Sequence, residues 1–488
     1  MSVADWKEKL KELKRRMRSG ATGVHEHARP AAAPAKPVVP RTQIRDLCVG
    51  LDFGTSATKA VVRLLPAGPA YAVPLGEETV TPETYLGRTR LWIGADGSLS
   101  LNPDGDGRWA EALKVRLMDE PWQKQNIAIS GLQIEARAVD LAAAYLALTL
   151  RRIFDWCRSK VLPDLGDVAI RWSFNLGIPV RDWDAQTIKS AFLTAARAGW
   201  HLAREKERVD LRCAAAVVDR ASGDSFTPRD INRESLEVVP EVAAGVACYA
   251  RSPRRRAGPH LFVDIGATTL DASMFLLVED EGDLEYVFLS AEIDSALGAL
   301  RLHGHRAKEL ERLALVRVPP SDPLAPVPQT ARGCLPSEQQ LLRIDAEFAE
   351  RCVLRLGSVV YHAKKKSPHD LSVRDDGPSE PISVLISGGG ASLELYREVI
   401  RKAEQNARPG GRQGLRIRPF RNVPIPEPPD LRPTGLPAEL WRRLAIAYGL
   451  SYRKDDIGKF VPESAVPDMP LAKPREDVGA KYVSKDQV

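Results

Sequence analysis

Two short segments of the chain place an acidic residue, a glycine and hydroxyl residues at the end of an apolar stretch. The first is LDFGTSATK, with Asp52 followed by Gly54, Thr55 and Ser56. Because a tight turn at a glycine aims backbone N–H groups and hydroxyls at one point, such a segment can hold a phosphate group. Asp52 can then hold a hydrated magnesium ion beside that group. Taken alone, this segment leaves an ordinary hairpin as the alternative.

The second segment, DIGATTLD, repeats this order of residue types. Its candidate site residues are Asp264, Gly266, Ala267, Thr268 and Thr269. Two turns of this kind on facing parts of a fold can hold a polyphosphate from both sides. The repetition therefore predicts two related halves around one phosphate-binding cleft.

A third segment, VLISGGGASLELYREVIRKA, has an apolar stretch, three glycines and a helical pattern in that order. Gly388, Gly389 and Gly390 lack a Cβ atom, so the backbone can approach a ligand closely at the start of the helix. A flexible turn is the alternative role of these glycines. The chain has no GxxxxGK[ST] sequence, which excludes a P-loop site.

The elements that must position these segments are strands, turns and helices in alternation, which predicts an α/β fold. LCVGLDFG and KAVVRLL are predicted strands on either side of the first turn, and HLFVDIGATTLDASMFLLV is predicted as the corresponding unit of the second half. Residues 137–157 form a predicted helix rich in alanine and leucine. Residues 184–200 form a second one, which is expected to end at Gly199 because glycine commonly terminates helices.

Five segments in chain order resemble the signature motifs of the actin-like ATPase superfamily, and they span residues 47–452. LDFGTSATK, VVPEVAAGVACYA, FVDIGATTLD, VLISGGGAS and LAIAYGLSY resemble the phosphate 1, connect 1, phosphate 2, adenosine and connect 2 motifs, respectively. The PEVAAG and HAKKKS stretches are most similar to the nucleotide-binding domain of the seventy-kilodalton heat-shock chaperones. The resemblance implies a two-lobed actin-like α/β fold with duplicated ribonuclease-H-like subdomains, with ATP or ADP and Mg²⁺ as cofactors.

The resemblance also assigns catalytic roles by position. It makes Asp52 and Asp264 the acids around magnesium, largely through bound water. Glu241 takes the place of the acid that orders water and metal near the transferred phosphate, and Lys114 takes that of the lysine that reaches the γ-phosphate. Lys364, in HAKKKS, is expected to lie beside the nucleoside, whose adenine and ribose pass the three glycines.

Other positions match or depart from the chaperone pattern. The resemblance implies that Thr55 and Thr269 contact phosphate. Ala267 replaces a glycine, and its Cβ atom narrows the space for a γ-phosphate, so hydrolysis is expected to be slow or absent. Tyr361 stands where the family usually has a glutamate that contacts the nucleoside, and Ser392 replaces an arginine that stacks near adenine.

Composition restricts the partners and the compartment. The net charge is +6, from 70 basic and 64 acidic residues, which is too small an excess for a strong nucleic-acid signal. Six cysteines occur singly, without a CxxC pair, as is typical of a reducing compartment. No apolar run approaches the ~20 residues that span a bilayer, and the N-terminus is charged. These features predict a cytoplasmic protein without a transmembrane segment.

The domain organisation follows from these patterns. The predicted units are a basic amphipathic helix (1–27), a Pro/Ala linker (28–44), lobe I (45–255, closed by 440–460), lobe II (256–439) and a polar tail (461–488). The N-terminal helix is the predicted contact with an unidentified protein partner or an anionic membrane surface. A frayed, solvated terminus is the alternative.

The leading functional prediction is an ATP-dependent conformational switch that hydrolyses ATP slowly to ADP and phosphate. A chaperone-type substrate-binding domain is not expected, because only 39 residues follow Gly449. A non-enzymatic actin-like scaffold or filament protein is the first alternative. A carbohydrate kinase is the second, since DFGTSATKA also resembles the opening of sugar kinases.

Overall fold

The computed structural model describes residues 43–76, 82–103, 105–129, 132–166, 168–280, 282–312, 338–373, 379–407 and 416–469. The predicted N-terminal helix, linker residues 28–42 and the tail beyond residue 469 lie outside the described residues.

The described elements are those of a mixed α/β protein. The strands in chain order are β1 (Ile44–Phe53), β2 (Ala57–Leu65), β3 (Ala70–Val73), β4 (Gly87–Arg88), β5 (Leu91–Gly94), β6 (Leu99–Ser100), β7 (Gly107–Ala110), β8 (Lys124–Ile129), β9 (Leu132–Arg137), β10 (Ala169–Ile178), β11 (Leu236–Pro240), β12 (Gly258–Ile265), β13 (Leu270–Asp280), β14 (Asp283–Asp294), β15 (Ile382–Ser387), β16 (Phe420–Asn422), β17 (Leu431–Arg432) and β18 (Lys459–Val461). The α-helices are α1 (Leu113–Asp119), α2 (Ala138–Lys160), α3 (Leu162–Leu165), α4 (Val180–Asp184), α5 (Gln186–Arg204), α6 (Leu211–Ala221), α7 (Glu241–Ala250), α8 (Ala299–Arg312), α9 (Glu338–Lys366), α10 (Pro368–Leu371), α11 (Glu394–Ala407), α12 (Ala438–Leu450) and α13 (Lys454–Ile457). The strand, turn and strand units predicted around the two acidic segments are confirmed.

Two large mixed sheets share one pairing pattern. In the first, the order is β11-β10-β1-β2-β3-β17, with β4 beside β2; in the second, it is β16-β15-β12-β13-β14-β18. In each sheet the second strand of the first hairpin pairs antiparallel with a third strand. One later strand pairs in parallel with the first strand of the hairpin, and another pairs in parallel with that later strand. A short strand from the C-terminal part of the chain then pairs in parallel at the other edge. The second half thus repeats the topology of the first.

The apolar residues pack in three clusters. The first covers one face of the first sheet with α2, α5 and α6, and the second covers one face of the second sheet with α8, α9 and α11. The third lies against the opposite faces of both sheets and contains α7 and α12. Neighbouring residues of β2 show this division, since Val62 belongs to the first cluster and Val61 to the third. Burial of both faces is typical of sheets with parallel strands.

Helix α12 approaches its neighbours at glycines. A Cβ atom on Gly449 would lie 1.9 Å from the carbonyl oxygen of Ala244 in α7. A Cβ atom on Gly50 in β1 would lie 2.3 Å from the backbone nitrogen of Ser451. The absence of side chains at these points lets α12 lie directly against α7 and the first sheet.

The predicted end of the second helix at Gly199 is wrong, because α5 continues to Arg204. Gly199 lies where α5 meets α2, and a Cβ atom there would lie 2.8 Å from the Cβ of Leu146. The glycine therefore permits close packing of two helices and does not terminate one.

Two short strands cross the predicted bounds of the lobes. Leu431–Arg432, within 256–439, pairs in the first sheet, and Lys459–Val461, at the end of the 440–460 segment, pairs in the second. Within the described part of the chain, no helix combines the length and apolarity that a membrane span requires.

Candidate functional site

The first acidic segment forms the turn between β1 and β2. Asp52 is the second-last residue of β1 and is only 3% exposed. A Cβ atom on Gly54 would lie 2.3 Å from the carbonyl oxygen of Ala57, so this turn requires a glycine. The carboxylate is thus held at the end of a buried strand, directly before the turn.

The second acidic segment forms the equivalent turn between β12 and β13. The N–H of Gly266 donates to the carbonyl oxygen of Thr269 over 2.9 Å, which closes the turn. At the start of α8, the N–H of Ala299 donates to Gly266 and that of Leu300 donates to Ala267. The turn is therefore braced by the first residues of a helix.

The three glycines pack against the second turn. Gly388 has a φ of 85°, and a Cβ atom there would lie 2.3 Å from the carbonyl oxygen of Ile265. A Cβ on Gly390 would lie 2.2 Å from Cγ2 of Ile265, and one on Gly389 would lie 2.9 Å from Nε of Arg443. These glycines bring the segment after β15 into direct contact with the end of β12.

One cavity of about 870 Å³ lies between the two turns and the glycine segment. Every predicted site residue except Lys364 lines it, so residues from Asp52 to Gly390 converge on one space. Its volume is within the range of small-molecule and cofactor sites. Elements of both large sheets therefore contribute to one candidate binding site.

A buried ion pair lies in this cavity. Nζ of Lys114 lies 2.6 Å from Oε1 of Glu241, and each residue is 5% exposed. Burial alone would lower the pKa of Lys114, but the charges of Glu241 and Asp52 outweigh it and hold that pKa above its ordinary value. Lys114 is therefore a fixed positive charge at the inner end of the cavity.

Buried carboxylates outnumber the lysines there. Burial, together with the charge of Asp52, raises the pKa of Glu241 to about 7, although the charge of Lys114 opposes the shift. Burial and the charge of Asp52 likewise raise the pKa of Asp264. Burial, Glu241 and Asp264 raise that of Asp271 well above its ordinary value. The excess of negative charge in this space favours protons or an added cation.

Sequence reasoning missed two cavity residues that the hairpin register explains. Lys59 lies opposite Asp52 in the first hairpin, and its Nζ is 2.8 Å from Oδ2 of that aspartate. Asp271 lies opposite Asp264 at the equivalent position of the second hairpin. In both segments, the partner follows the acid by the same number of residues, a signal available from the sequence once the two turns are aligned. The residue opposite the site aspartate is thus a lysine in the first hairpin and a second aspartate in the second hairpin.

The residue before α1 has an unusual conformation. Ala112 has φ 54° and ψ 34°, the left-handed region that residues with a Cβ atom seldom adopt. It lines the cavity two residues before Lys114. Local backbone strain of this kind is concentrated at functional sites and here fixes the direction in which α1 begins.

No known protein-family model matches this chain, and no curated protein shows significant similarity to it. The function of the chain is therefore inferred from the chemistry of the site.

Three positions that the resemblance places near the nucleoside, Tyr361, Lys364 and Ser392, do not line the cavity, although the three glycines do. Lys364 lies near the end of α9 and is half-buried. Tyr361 is 58% exposed, with Nζ of Lys365 4.5 Å from the centre of its ring, and Ser392 is exposed. The cavity thus contains the predicted phosphate-binding residues without the predicted lysine contact to adenosine.

Two polar features of the cavity suit an anionic ligand and its cation. Among the described residues, Oγ1 of Thr268 is buried and lacks a hydrogen-bond partner, so a ligand oxygen can satisfy it. No group of three metal-ligating side chains occurs in this part of the chain. Asp52 and Asp264 are nonetheless oxygen donors of the type that Mg²⁺ prefers, and binding through water does not need a compact cluster.

Proposed function

We propose that the chain binds Mg²⁺ and ATP in this cavity and belongs by fold to the actin-like ATPases, as two duplicated ribonuclease-H-like lobes. The observation that carries the proposal is the equivalence of the two hairpins. Each has an aspartate, Asp52 or Asp264, as the second-last residue of its first strand, and both aspartates line one cavity. The repeated strand pairing of the two large sheets supports the same fold.

The phosphate chain is proposed to lie between the two turns. The backbone N–H groups of 54–56 and 266–269 and the hydroxyls of Thr55, Thr268 and Thr269 bind its oxygens. Asp52 and Asp264 hold Mg²⁺ through its water, and the ion supplies charge neutralisation on the phosphates. The nucleoside is proposed to lie beside the backbone of Gly388, Gly389 and Gly390, which lines the cavity.

Slow hydrolysis of ATP is proposed to use the buried pair. A water oxygen forms a bond to the γ-phosphorus while the bond to the bridging oxygen breaks, and ADP leaves with that electron pair. Glu241 accepts a proton from the water, which a carboxyl group with a pKa of about 7 does efficiently near neutral pH. The positive charge of Lys114 stabilises the charge that develops on the phosphate oxygens.

The proposed role is that of a switch. ATP contacts both halves, so its binding favours a closed arrangement and hydrolysis releases it. Contact with a protein partner through the N-terminal helix and a cytoplasmic location remain predictions from the sequence.

The test is titration calorimetry of MgATP into the wild type and the Asp52→Asn and Asp264→Asn variants. Asp155→Asn is the control, because Asp155 is 70% exposed and lies on α2 outside the cavity. We expect both cavity variants to lose ~10-fold or more in affinity, the scale of a lost charged contact, and the control to bind as the wild type does. A wild type that binds no nucleotide, or equal affinities in all four proteins, would reject the proposal. Steady-state hydrolysis and size-exclusion profiles in each nucleotide state then separate a switch from a scaffold.

A further inference from the structure

Three arginines line the outer part of the same cavity. Arg88 ends β4, which pairs with β2 directly after the first turn, and Arg90 follows two residues later. Arg301 is the third residue of α8, the helix that braces the second turn. Arg88 and Arg301 are exposed, whereas Lys114 is buried. The guanidinium groups therefore mark the mouth of the cavity, and they come from both halves of the protein.

These arginines have no direct ion-pair partner among the described residues, although the exposed carboxylate of Glu111 lines the same cavity. Lys59 and Lys114, deeper in the cavity, are each paired with a carboxylate. Within the described residues, neither Arg88, Arg90 nor Arg301 forms an ion pair.

Two of the three are nevertheless held in place. The guanidinium carbon of Arg90 lies 3.9 Å from the centre of the Trp109 ring, and Nε of Arg301 donates to the carbonyl oxygen of Ser295 over 3.3 Å. These contacts orient the groups and leave their charge unmatched. Planar guanidinium groups bind phosphate oxygens in a two-pronged manner and, when their charge is unmatched, attract anions strongly.

We propose that Arg88, Arg90 and Arg301 form a second anion subsite at the mouth of the cavity, which takes a phosphate group. The phosphate is free inorganic phosphate, because the proposed function places the terminal phosphate of the nucleotide at the inner end of the cavity, beside Lys114 and Glu241. Because the arginines belong to both halves, an anion held by all three connects β4 to α8 across the opening.

The test compares Arg88→Ala and Arg301→Ala with the wild type and with Arg108→Ala. Arg108 is a matched control, since it is exposed beside Trp109 in β7 and does not line the cavity. Inorganic phosphate, MgADP and MgATP are each titrated by calorimetry. Arg88→Lys and Arg301→Lys keep the positive charge. If the lysine variants still bind phosphate, the loss of affinity in the alanine variants comes from the missing charge and not from misfolding.

We expect the wild type to bind inorganic phosphate, and each alanine variant to lose that affinity by ~10-fold. The affinities for MgADP and MgATP should be unchanged in these variants, and Arg108→Ala should bind phosphate as the wild type does. Alanine variants that bind phosphate as the wild type does, or a wild type that binds no phosphate, would overturn the subsite. A loss of MgATP affinity without a loss of phosphate affinity would also overturn it, because the arginines would then hold a phosphate of the nucleotide itself. If no nucleotide binds at all, the proposed function fails and the phosphate titration alone decides this inference.

Discussion

Nζ of Lys114 and Oε1 of Glu241 lie 2.6 Å apart, although 127 residues separate them in the chain. The pair joins the first turn of α1 to the first residue of α7, and both side chains are buried. Two elements that approach the cavity from different directions are therefore held together by one charged contact.

Removal of one partner of this pair should destabilise the protein. We expect Lys114→Met to lower the free energy of unfolding by about 3–5 kcal/mol, because it leaves Glu241 buried without its partner. Glu241→Gln should lower it by less, since glutamine keeps a hydrogen-bond acceptor for Lys114. The double variant should recover part of the loss, because it leaves no uncompensated charge. Urea unfolding measures all four proteins, and strictly additive losses would show that the pair does not interact.

The raised pKa of Asp271 predicts a pH-dependent stability. The folded state retains a proton on this carboxyl group that the unfolded state releases, so its stabilising effect is complete below the ordinary pKa and is lost as the pH rises through the raised pKa. The Asp271→Asn variant has no carboxyl group at this position, so its stability does not fall for this reason as the pH rises. We therefore expect it to be more stable than the wild type at pH 8, by roughly 1–3 kcal/mol, with the difference vanishing near pH 4. Denaturant unfolding across this range measures the difference, and a gap that does not change with pH would contradict the assignment.

Replacement of Thr268, whose buried hydroxyl is unsatisfied, can show whether this residue binds the ligand or only supports the fold. Thr268→Val removes a buried group that has no hydrogen-bond partner among the described residues, so stability should be kept or improved. Affinity for MgATP should fall by ~10-fold or more, the cost of one hydrogen bond to a charged ligand. Thr149→Val is the matched control, because the Thr149 hydroxyl is also buried and unsatisfied but does not line the cavity. Equal affinities in both variants would remove Thr268 from the binding site.

Gly388, in the glycine-rich segment after β15, and Gly357, in helix α9, should respond in opposite ways to replacement by alanine. Gly388→Ala places a Cβ atom 2.3 Å from a backbone oxygen at a φ of 85°, and we expect a loss of roughly 2 kcal/mol or more. Gly357→Ala, inside α9 with open space around the position, should gain about 0.5–1 kcal/mol. Thermal and denaturant unfolding test both changes. A tolerated Gly388→Ala would mean that the segment after β15 can move away from β12.

Local patterns were sufficient to predict the hairpins that hold Asp52 and Asp264. Each depends on an apolar run and a glycine turn within a few residues, and these interactions are local. The role of Gly199 was mistaken because helix termination and close helix packing both select glycine, and only the position of Leu146 distinguishes them.

The remaining cavity residues depend on tertiary structure. The position of Asp271 follows from strand register, which fixes the residue opposite Asp264. Arg88 and Arg301 reach the cavity only because β4 joins the first hairpin and α8 bonds to the second turn. Sequence patterns around these two arginines contain no sign of that convergence.

Helix α12 also determines when this protein can become stable during its own synthesis. It packs against β1, β2, β10 and α7, all of which are made long before it, and supplies the centre of the cluster that both sheets share. Until Leu450 has left the ribosome, that interior stays open to water, and the newly made chain exposes the apolar faces that α12 will cover. We expect the nascent chain to depend on molecular chaperones until α12 has been synthesised, and to become resistant to proteases only after that.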